Sequence, residues 1–161
     1  MSGYLKVGEI TGESTDEGHQ GWINLLSVGT YMTRPMVIGA SGSTRHRSSV
    51  RLGDLTCIKE VDASTPKLQE ALADGTSFPK VCVDLCTSSE GSQRIPYLTW
   101  ELANARVTSY SIDATTDGED LPTEQIAFNF EKIKVTYDRL DKNNKSLGKV
   151  EFTWNLESGV K

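Results

Sequence analysis

The chain has 161 residues, a formal net charge of −5 and 24% charged residues. This length suits a single domain, residues 1–161, with a core large enough to fold without disulfides or metals. The negative net charge argues against nucleic acid as a main partner. No uncharged apolar run approaches the roughly 20 residues that a membrane span needs, and the first residues lack a signal-peptide pattern. We therefore expect a protein made in the cytoplasm without a signal peptide and without membrane insertion.

Alternating apolar residues predict three strands in the N-terminal half, over residues 4–10, 21–32 and 50–59. The residues expected to point into the core are Leu5 and Val7, then Ile23 and Leu25, then Leu52, Leu55 and Ile58. The second strand is apolar on both faces, which predicts that other parts of the protein bury both of its faces. Between the second and third strands, residues 33–49 form a loop of about seventeen residues rich in Gly, Ser and Thr. Loops of this length are usually functional or disordered, so it is the first place where we expect a partner.

A short helix with clear start and stop signals follows the third strand. Ser64 or Thr65 is the expected cap, and Pro66 stands at or near the first helical position. The narrow apolar stripe of this helix consists of Leu68, Ala71 and Leu72. Asp74 and Gly75 end it, since glycine is the favoured residue just past a helix. Two further strands are predicted over residues 80–87 and 95–106, and residues 107–112 continue the second or form another.

Residues 117–156 predict a long hairpin around which the other strands are organised. The first strand carries an apolar row that changes parity midway: Ile126, Phe128 and Phe130, then Ile133, Val135 and Tyr137. A bulge or twist near Glu131 and Lys132 would keep the whole row on one core. After a polar turn over residues 142–146, the second strand points Val150, Phe152, Trp154 and Leu156 to one face. We expect Trp154 to be buried.

The sequence offers little chemistry, and we predict no catalytic residue, no cofactor and no metal site. Three cysteines, Cys57, Cys82 and Cys86, are too few for a disulfide framework and are interpreted as buried free thiols. His19 and His46 fall in polar, loop-like sequence and are predicted to be surface histidines. The acidic residues Asp113, Asp117, Glu119, Asp120 and Glu124 do not have the spacing of a helical-hand calcium loop and are interpreted as a solvated acidic loop. No glycine pattern of a nucleotide-binding loop occurs.

The charges are segregated along the chain. Residues 18–53 contain no Asp or Glu, and residues 107–130 contain no Lys or Arg. The first range therefore holds a basic loop with Arg45, Arg47 and Arg51, and the second holds an acidic loop over residues 113–124. These two loops either meet within one monomer or meet head to tail between identical subunits. On the second interpretation, the predicted subunit-interface residues are Met36, Val37, Ile38, Arg45, Arg47, Arg51, Asp117, Glu119 and Asp120.

Four segments in this order resemble the Hcp family, the haemolysin-coregulated proteins of bacterial type VI secretion systems. The matching segments are Tyr4 to Ser14, the Trp22 strand that leads into a long loop, Asp54 to Leu68 with the helix ending at Gly75, and Leu121 to Tyr137. The best match reads D-L-T-C-I-K-E-V-D-A-S-T-P-K-L, in which Thr65 is inserted where the family usually has Ser-Pro. The resemblance covers essentially the whole chain.

The resemblance implies a mainly β fold, a two-sheet β-barrel with one short inserted α-helix and a long extended loop. It also implies a homohexameric ring that stacks into the inner tube, is expelled by the type VI system and carries small effectors in its lumen. The implied partners are a VgrG-type spike protein, the contractile sheath and the baseplate. The chain stops at Lys161, directly after the last strand, so we expect a plain tube subunit without an added toxin domain. A phage or prophage tail-tube protein and a monomeric ligand-binding β-barrel remain the alternatives.

Overall fold

The computed structural model describes residues 1–35, 49–87 and 94–159. Within these ranges the chain forms eleven strands and one helix. In order they are β1 (Ser2–Val7), β2 (Ile23–Leu25), β3 (Ser27–Gly29), β4 (Met32–Thr33), β5 (Arg51–Leu52), β6 (Leu55–Glu60), α1 (Thr65–Asp74), β7 (Ser77–Cys86), β8 (Pro96–Asp113), β9 (Thr123–Asn129), β10 (Lys132–Leu140) and β11 (Ser146–Asn155). The prediction of a mainly β fold with one inserted helix is confirmed.

Nine of these strands form one sheet in the order β2-β1-β7-β8-β9-β6-β3, with β10 paired to β8 and β11 paired to β10. Every pairing is antiparallel. Among the described residues the strand pairing does not close, so the prediction of a closed two-sheet barrel is not met. The two ends of the path, β2 and β3, are separated along the chain by Leu26, whose N–H donates to the Ile58 carbonyl at 2.8 Å. The ladder is interrupted at this residue because β2 pairs with β1, whereas β3 pairs with β6.

Strand β8 is the longest element of the described ranges and changes partner along its length. Its first half pairs with β10 between Leu98 and Ala103, and its second half pairs with β9 from Arg106 to Asp113. The kink between β9 and β10 lies where the sequence predicts it. Glu131 and Lys132 both point outward, so that Phe130 and Ile133 are both buried. Two consecutive outward residues reverse the parity and keep the apolar row on one core.

The core face of the sheet consists of apolar rows that run across the strands. One row, read by strand register, is Ile23, Leu5, Val83, Trp100, Val135 and Phe152. The next is Val7, Val81, Leu102, Ile133 and Trp154. Both rows are fully buried at β1 and β7 and only half-buried at β11. Trp154 is therefore only half-buried. The prediction of the face on which it lies is correct, but the prediction that it is buried is wrong.

Helix α1 has the predicted ends. Ser64 is the N-cap, although its side chain makes no capping hydrogen bond, and the proline stands in the first turn. Gly75 adopts φ 69°, and its N–H bonds the Ala71 carbonyl, which gives the left-handed C-cap that glycine favours. Leu68 and Ala71 are buried against the sheet, and most of the helix contacts are with β8.

Two predictions on the N-terminal strands are wrong. The segment 21–32 is not covered on both faces, since Asn24 and Leu26 are exposed. In β6 the core residues are Leu55 and Cys57, whereas Ile58 is half-buried. The parity of this strand also carries Lys59 inside, where it is fully buried. A lysine at an inward position breaks the apolar alternation, and for this reason the prediction is right for Leu55 and wrong for Ile58.

Candidate functional site

His19 is the centre of a buried polar cluster, and the prediction that it is a surface histidine is wrong. Its side chain is 3% exposed. Nδ1 lies 2.7 Å from Oδ2 of Asp16, and Nε2 lies 2.9 Å from Oδ2 of Asp84. The ring stacks on Tyr4 with centroids 4.3 Å apart and meets the edge of Trp22 at 4.8 Å. His19 thereby fastens the loop between β1 and β2 onto the outer face of β1 and β7.

The two carboxylates of this cluster are held by further hydrogen bonds. Asp16 accepts from the N–H of Arg94 at 3.0 Å, and Asp84 accepts from the Thr99 hydroxyl at 2.7 Å. Burial alone would raise the pKa of Asp16, but the hydrogen bond and charge of His19 and the backbone N–H groups outweigh it and lower this pKa. One sequence signal pointed to the cluster: Asp84 interrupts the apolar strand 80–87, and a carboxylate in such a strand needs a partner.

Cys86 lies beside this cluster, with Sγ 3.9 Å from Nε2 of His19. A thiol, an imidazole and a carboxylate in contact are the parts of a nucleophilic triad. The thiol is fully buried, however, and burial together with the nearby Asp84 and Asp16 carboxylates raises its pKa to about 12. The thiolate is the nucleophile, so a buried thiol with this pKa serves packing and not catalysis. The prediction of buried free thiols is confirmed for Cys57 and Cys86, whereas Cys82 is half-buried.

A surface groove of about 590 Å³ adjoins the His19 cluster on the outer face of β1, β7 and β8. Trp22 forms part of its wall, with Nζ of Lys6 5.8 Å from the indole centroid. Across the groove Lys80 pairs with Glu101 at 3.2 Å. Burial raises the pKa of the Cys82 thiol in this groove, although Lys80 opposes the rise. Within the described ranges no group of three or more His, Cys, Asp or Glu side chains is placed to hold a metal ion.

A second buried polar cluster joins β6, β8, β9 and α1. Lys59 donates to Glu124 and to the Glu60 carbonyl, and it pairs with Asp62 at 2.8 Å. The second carboxylate oxygen of Glu124 accepts from the hydroxyl of Tyr110 at 2.6 Å. Burial and this hydrogen bond raise the pKa of Tyr110 to about 12. The sequence had placed Glu124 in a solvated acidic loop, but it is an inward residue of β9 and fully buried.

Four of the nine predicted interface residues lie in the described ranges. Arg51 is exposed on β5, and Asp117, Glu119 and Asp120 are exposed in the loop between β8 and β9. The other five, Met36, Val37, Ile38, Arg45 and Arg47, lie outside the described residues, so the predicted meeting of the two loops remains a prediction. The ends of the 33–49 segment are held together, since Met32 pairs with Leu52 and Thr33 with Arg51.

The described residues also expose large apolar side chains that the sequence pattern did not identify as surface. Two are adjacent, Tyr31 and Met32, next to the 33–49 segment. The others lie near the ends of the sheet and at the N-terminus: Met1, Leu26, Ile112, Leu121, Tyr137, Leu147 and Val150. Large patches of exposed apolar side chains that are surrounded by polar residues usually mark interaction sites. No helix in the described part of the chain has the length and hydropathy to cross a membrane.

Comparison with known proteins identifies the family. The profile of the family described as "Type VI secretion system effector, Hcp" matches residues 4–137. Protein hcp1 of Pseudomonas aeruginosa is 30% identical over 158 residues, which covers 98% of this chain and 96% of that protein. A solved structure described as that of a type six secretion system protein aligns with a TM-score of 0.89 at 25% identity, over 98% of this chain and 97% of the other.

The crystal structure of Hcp1 from Salmonella typhimurium has the same fold, with a TM-score of 0.77 at 21% identity over 98% of this chain and 95% of the other. The family profile spans more than half of the chain and includes all four segments that carry the resemblance. This chain therefore belongs to the Hcp family of type VI secretion system proteins, as its motifs predict.

Proposed function

We propose that the protein is the structural subunit of a type VI secretion tube, assembled as a ring of six identical chains that stack into a hollow tube. The observation that carries the proposal is the family match over residues 4–137, together with a fold that aligns over 98% of the chain. The exposed apolar side chains support it, because a monomer gains nothing from presenting them to water.

The polar clusters support a structural role rather than an enzymatic one. His19 and Lys59 are both buried, and each is bonded to carboxylates that fasten neighbouring elements together. The imidazole of His19 is buried, and the part of its cluster that lines the groove beside Trp22 is Asp84 and Thr99. Buried polar groups with all partners satisfied rigidify a fold, which suits a subunit that must keep its shape in a repeating assembly.

The partners follow from this role. The tube would be capped by a VgrG-type spike protein, built inside a contractile sheath on a baseplate, and would hold small effector proteins in its lumen. The chain would act as one domain over residues 1–161 and would be secreted by the type VI system. We propose no binding of nucleic acid and no membrane insertion, in keeping with the net charge of −5.

The subunit interface proposed from the sequence includes the exposed residues Arg51, Asp117, Glu119 and Asp120. Arginine can bind a carboxylate through two parallel hydrogen bonds, which suits a contact that must also fix orientation. Exposed ion pairs are screened over roughly 10 Å at 0.1 M salt, so this part of the interface should weaken as salt rises.

Electron microscopy of the purified protein tests the ring directly, since the proposal predicts annular particles with six-fold symmetry and a central opening. A field of compact particles without a central opening would contradict it. Secretion is the second test: the protein should appear in the medium of the native bacterium and be lost from it when the sheath gene is deleted. A phage tail-tube protein would form the same rings but would not depend on the sheath of a secretion system.

A monomeric ligand-binding β-barrel is the alternative that the groove beside Trp22 favours. That alternative predicts a monomer in solution and a ligand that protects the fluorescence of Trp22 from quenching.

A further inference from the structure

Exposed apolar side chains form two clusters at opposite ends of one continuous run of chain. Strands β9 and β10 follow each other along β8, from Thr123 to Leu140, with one kink between them. The acidic loop, residues 114–122, precedes the start of this run, and the hairpin turn, residues 141–145, follows its end. Because β9 pairs with the second half of β8 and β10 with the first half, the loop and the turn lie at opposite ends of the ladder.

The hairpin patch consists of Tyr137, Leu147 and Val150 with the basic residues around them. Tyr137 and Val150 are direct cross-strand neighbours and are 48% and 70% exposed, and Leu147 is 55% exposed. The basic residues of the patch, all exposed, are Arg139, Lys142, Lys145 and Lys149. This corner is the exposed end of a row that continues across the sheet through the half-buried Leu98 and Leu85.

The two carboxylates of the hairpin turn are engaged within it. Asp141 accepts hydrogen bonds from the N–H groups of Asn143 at 2.7 Å and Lys145 at 2.9 Å. Asp138 accepts from the hydroxyl of Ser146 at 2.5 Å. These carboxylates order the turn, while the lysine side chains around it point to solvent. The hairpin patch is therefore apolar in its centre and positive at its rim.

The loop patch consists of Leu26, Ile112 and Leu121 with the acidic residues around them. The three apolar side chains are 59%, 51% and 56% exposed. Leu26 and Leu121 line a shallow groove of about 110 Å³ together with Glu13, Glu60 and Asp62. The exposed acidic residues of this patch are Asp113 at the end of β8 and Asp117, Glu119 and Asp120 in the loop. The N–H of Val61 donates to the Pro122 carbonyl at 3.0 Å and fixes the end of the loop beside the groove.

We propose that the hairpin patch of one copy of this chain docks on the loop patch of the next copy, so that copies join head to tail. This inference rests on the proposed function, since a tube subunit must contact further copies of itself. The two patches match in character, each with an apolar centre and a charged rim, as protein interfaces are built. Their rims have opposite signs, which orients the partners and speeds their encounter.

The hairpin patch and the loop patch of one chain cannot contact each other, because they lie at opposite ends of the β8 ladder. Two different patches on one subunit form a heterologous contact, which repeats from copy to copy and generates rings or filaments. The contact uses residues of the described ranges only, and it supplies the acidic loop with a basic partner other than the segment around Arg51. Leu147 and Val150 would enter the groove between Leu26 and Leu121, with lysines facing the acidic rim.

Charge reversal tests the proposal in both directions. One variant carries Lys142→Glu with Lys145→Glu, and the other carries Glu119→Lys with Asp120→Lys. Each alone should lose at least tenfold of the sedimenting assemblies at low salt, because each brings two rims of like charge together. An equimolar mixture should regain them, since every contact between unlike variants again joins opposite charges.

The matched control carries Lys67→Glu with Lys132→Glu, which makes the same change in net charge at exposed positions outside both patches. It should sediment like the parent. All variants should keep the melting temperature of the parent within a few degrees, because the substituted side chains are exposed. Equal sedimentation of the two patch variants and the control, or no recovery on mixing, would overturn the docking.

A disulfide test separates this inference from the proposed function. A Lys145→Cys chain mixed with a Glu119→Cys chain should form interchain dimers on mild oxidation, whereas Lys67→Cys mixed with Glu119→Cys should not. Light scattering on the parent reports the ring. A monomeric parent rejects the proposed function; a ring-forming parent without the specific dimer rejects the docking alone. Dimers equally abundant in the control mixture would also overturn it.

Discussion

The two halves of the main sheet carry the same apolar pattern but differ in what covers them. At β1 and β7 the inward residues Leu5, Val7, Val81 and Val83 are fully buried. At the β10–β11 hairpin the same rows continue into Val135, Phe152 and Trp154, which are half-buried, and an adjacent row ends at the exposed Val150. Alternation therefore encodes which face a residue takes, whereas burial depends on the layer above that face. The core that buries the inward residues of β1 and β7 also contains inward residues of β6 and β9 and the buried face of α1.

Charge shows the same contrast, since one Lys–Glu pair is buried and another is exposed. Glu124→Gln should cost about 3–5 kcal/mol in the free energy of unfolding, because it leaves Lys59 buried without its main counter-charge. Urea unfolding at pH 7 measures this. The exposed pair Lys134–Glu151 on the hairpin provides the control, and Lys134→Ala should change the free energy of unfolding far less, because water screens this pair. Equal costs for the two variants would contradict the contrast between the halves.

Leu5→Ala should cost about 2–5 kcal/mol, because Leu5 is fully buried in the covered half and the variant leaves a cavity. Val150→Ala, in the uncovered half, should change the free energy of unfolding by less than about 0.5 kcal/mol. Both values come from chemical denaturation of the dissociated protein. A large cost for Val150→Ala in a monomer would show that some part of the chain covers the hairpin.

Trp154→Ala should have an intermediate effect, about 1–3 kcal/mol. A fully buried tryptophan costs about 3–5 kcal/mol on truncation, and Trp154 is only half-buried at the end of its row. Thermal unfolding of Trp154→Ala and of Leu5→Ala under the same conditions compares the loss of stability in the two variants. A loss as large as that of a fully buried tryptophan would mean that the end of β11 is covered as completely as β7.

The smallest expected effect concerns Asp16, whose pKa is lowered from its ordinary value near 3.8. A carboxyl with a lowered folded pKa contributes stability that is present above the unfolded pKa and is lost as pH falls through the folded pKa. Asp16→Asn should therefore lower stability at pH 7, and its difference from the parent should shrink below pH of about 3.8. A difference that stays constant from pH 7 to pH 3 would show that His19 does not stabilise the Asp16 carboxylate.

Local patterns in the sequence predicted several features correctly because each depends on neighbouring residues. The helix ends follow from Pro66 and Gly75, and the kink between β9 and β10 follows from the parity of Phe130 and Ile133. Long-range features were missed. His19 meets Asp84 across 65 positions, and Lys59 meets Glu124 across 65 positions. No periodicity reports such pairs, although an inward charge in an apolar strand signals that a partner exists somewhere.

The sequence also did not predict which ends of the sheet are exposed. The apolar pattern of a strand is the same whether residues of its own chain or of another copy bury it. Tyr137 and Val150 were assigned to the core on a pattern that is correct for their face. What the pattern cannot contain is the position of the second layer, which ends before the hairpin tip. In the docking proposed above, a neighbouring copy of the chain covers this corner.

Size-exclusion chromatography with light scattering at micromolar concentration tests the central claim, that this chain functions as an assembled subunit. We predict a mass of six chains of 17.7 kDa each, or multiples of it, without any added cofactor. A mass of one chain at every concentration would contradict the claim.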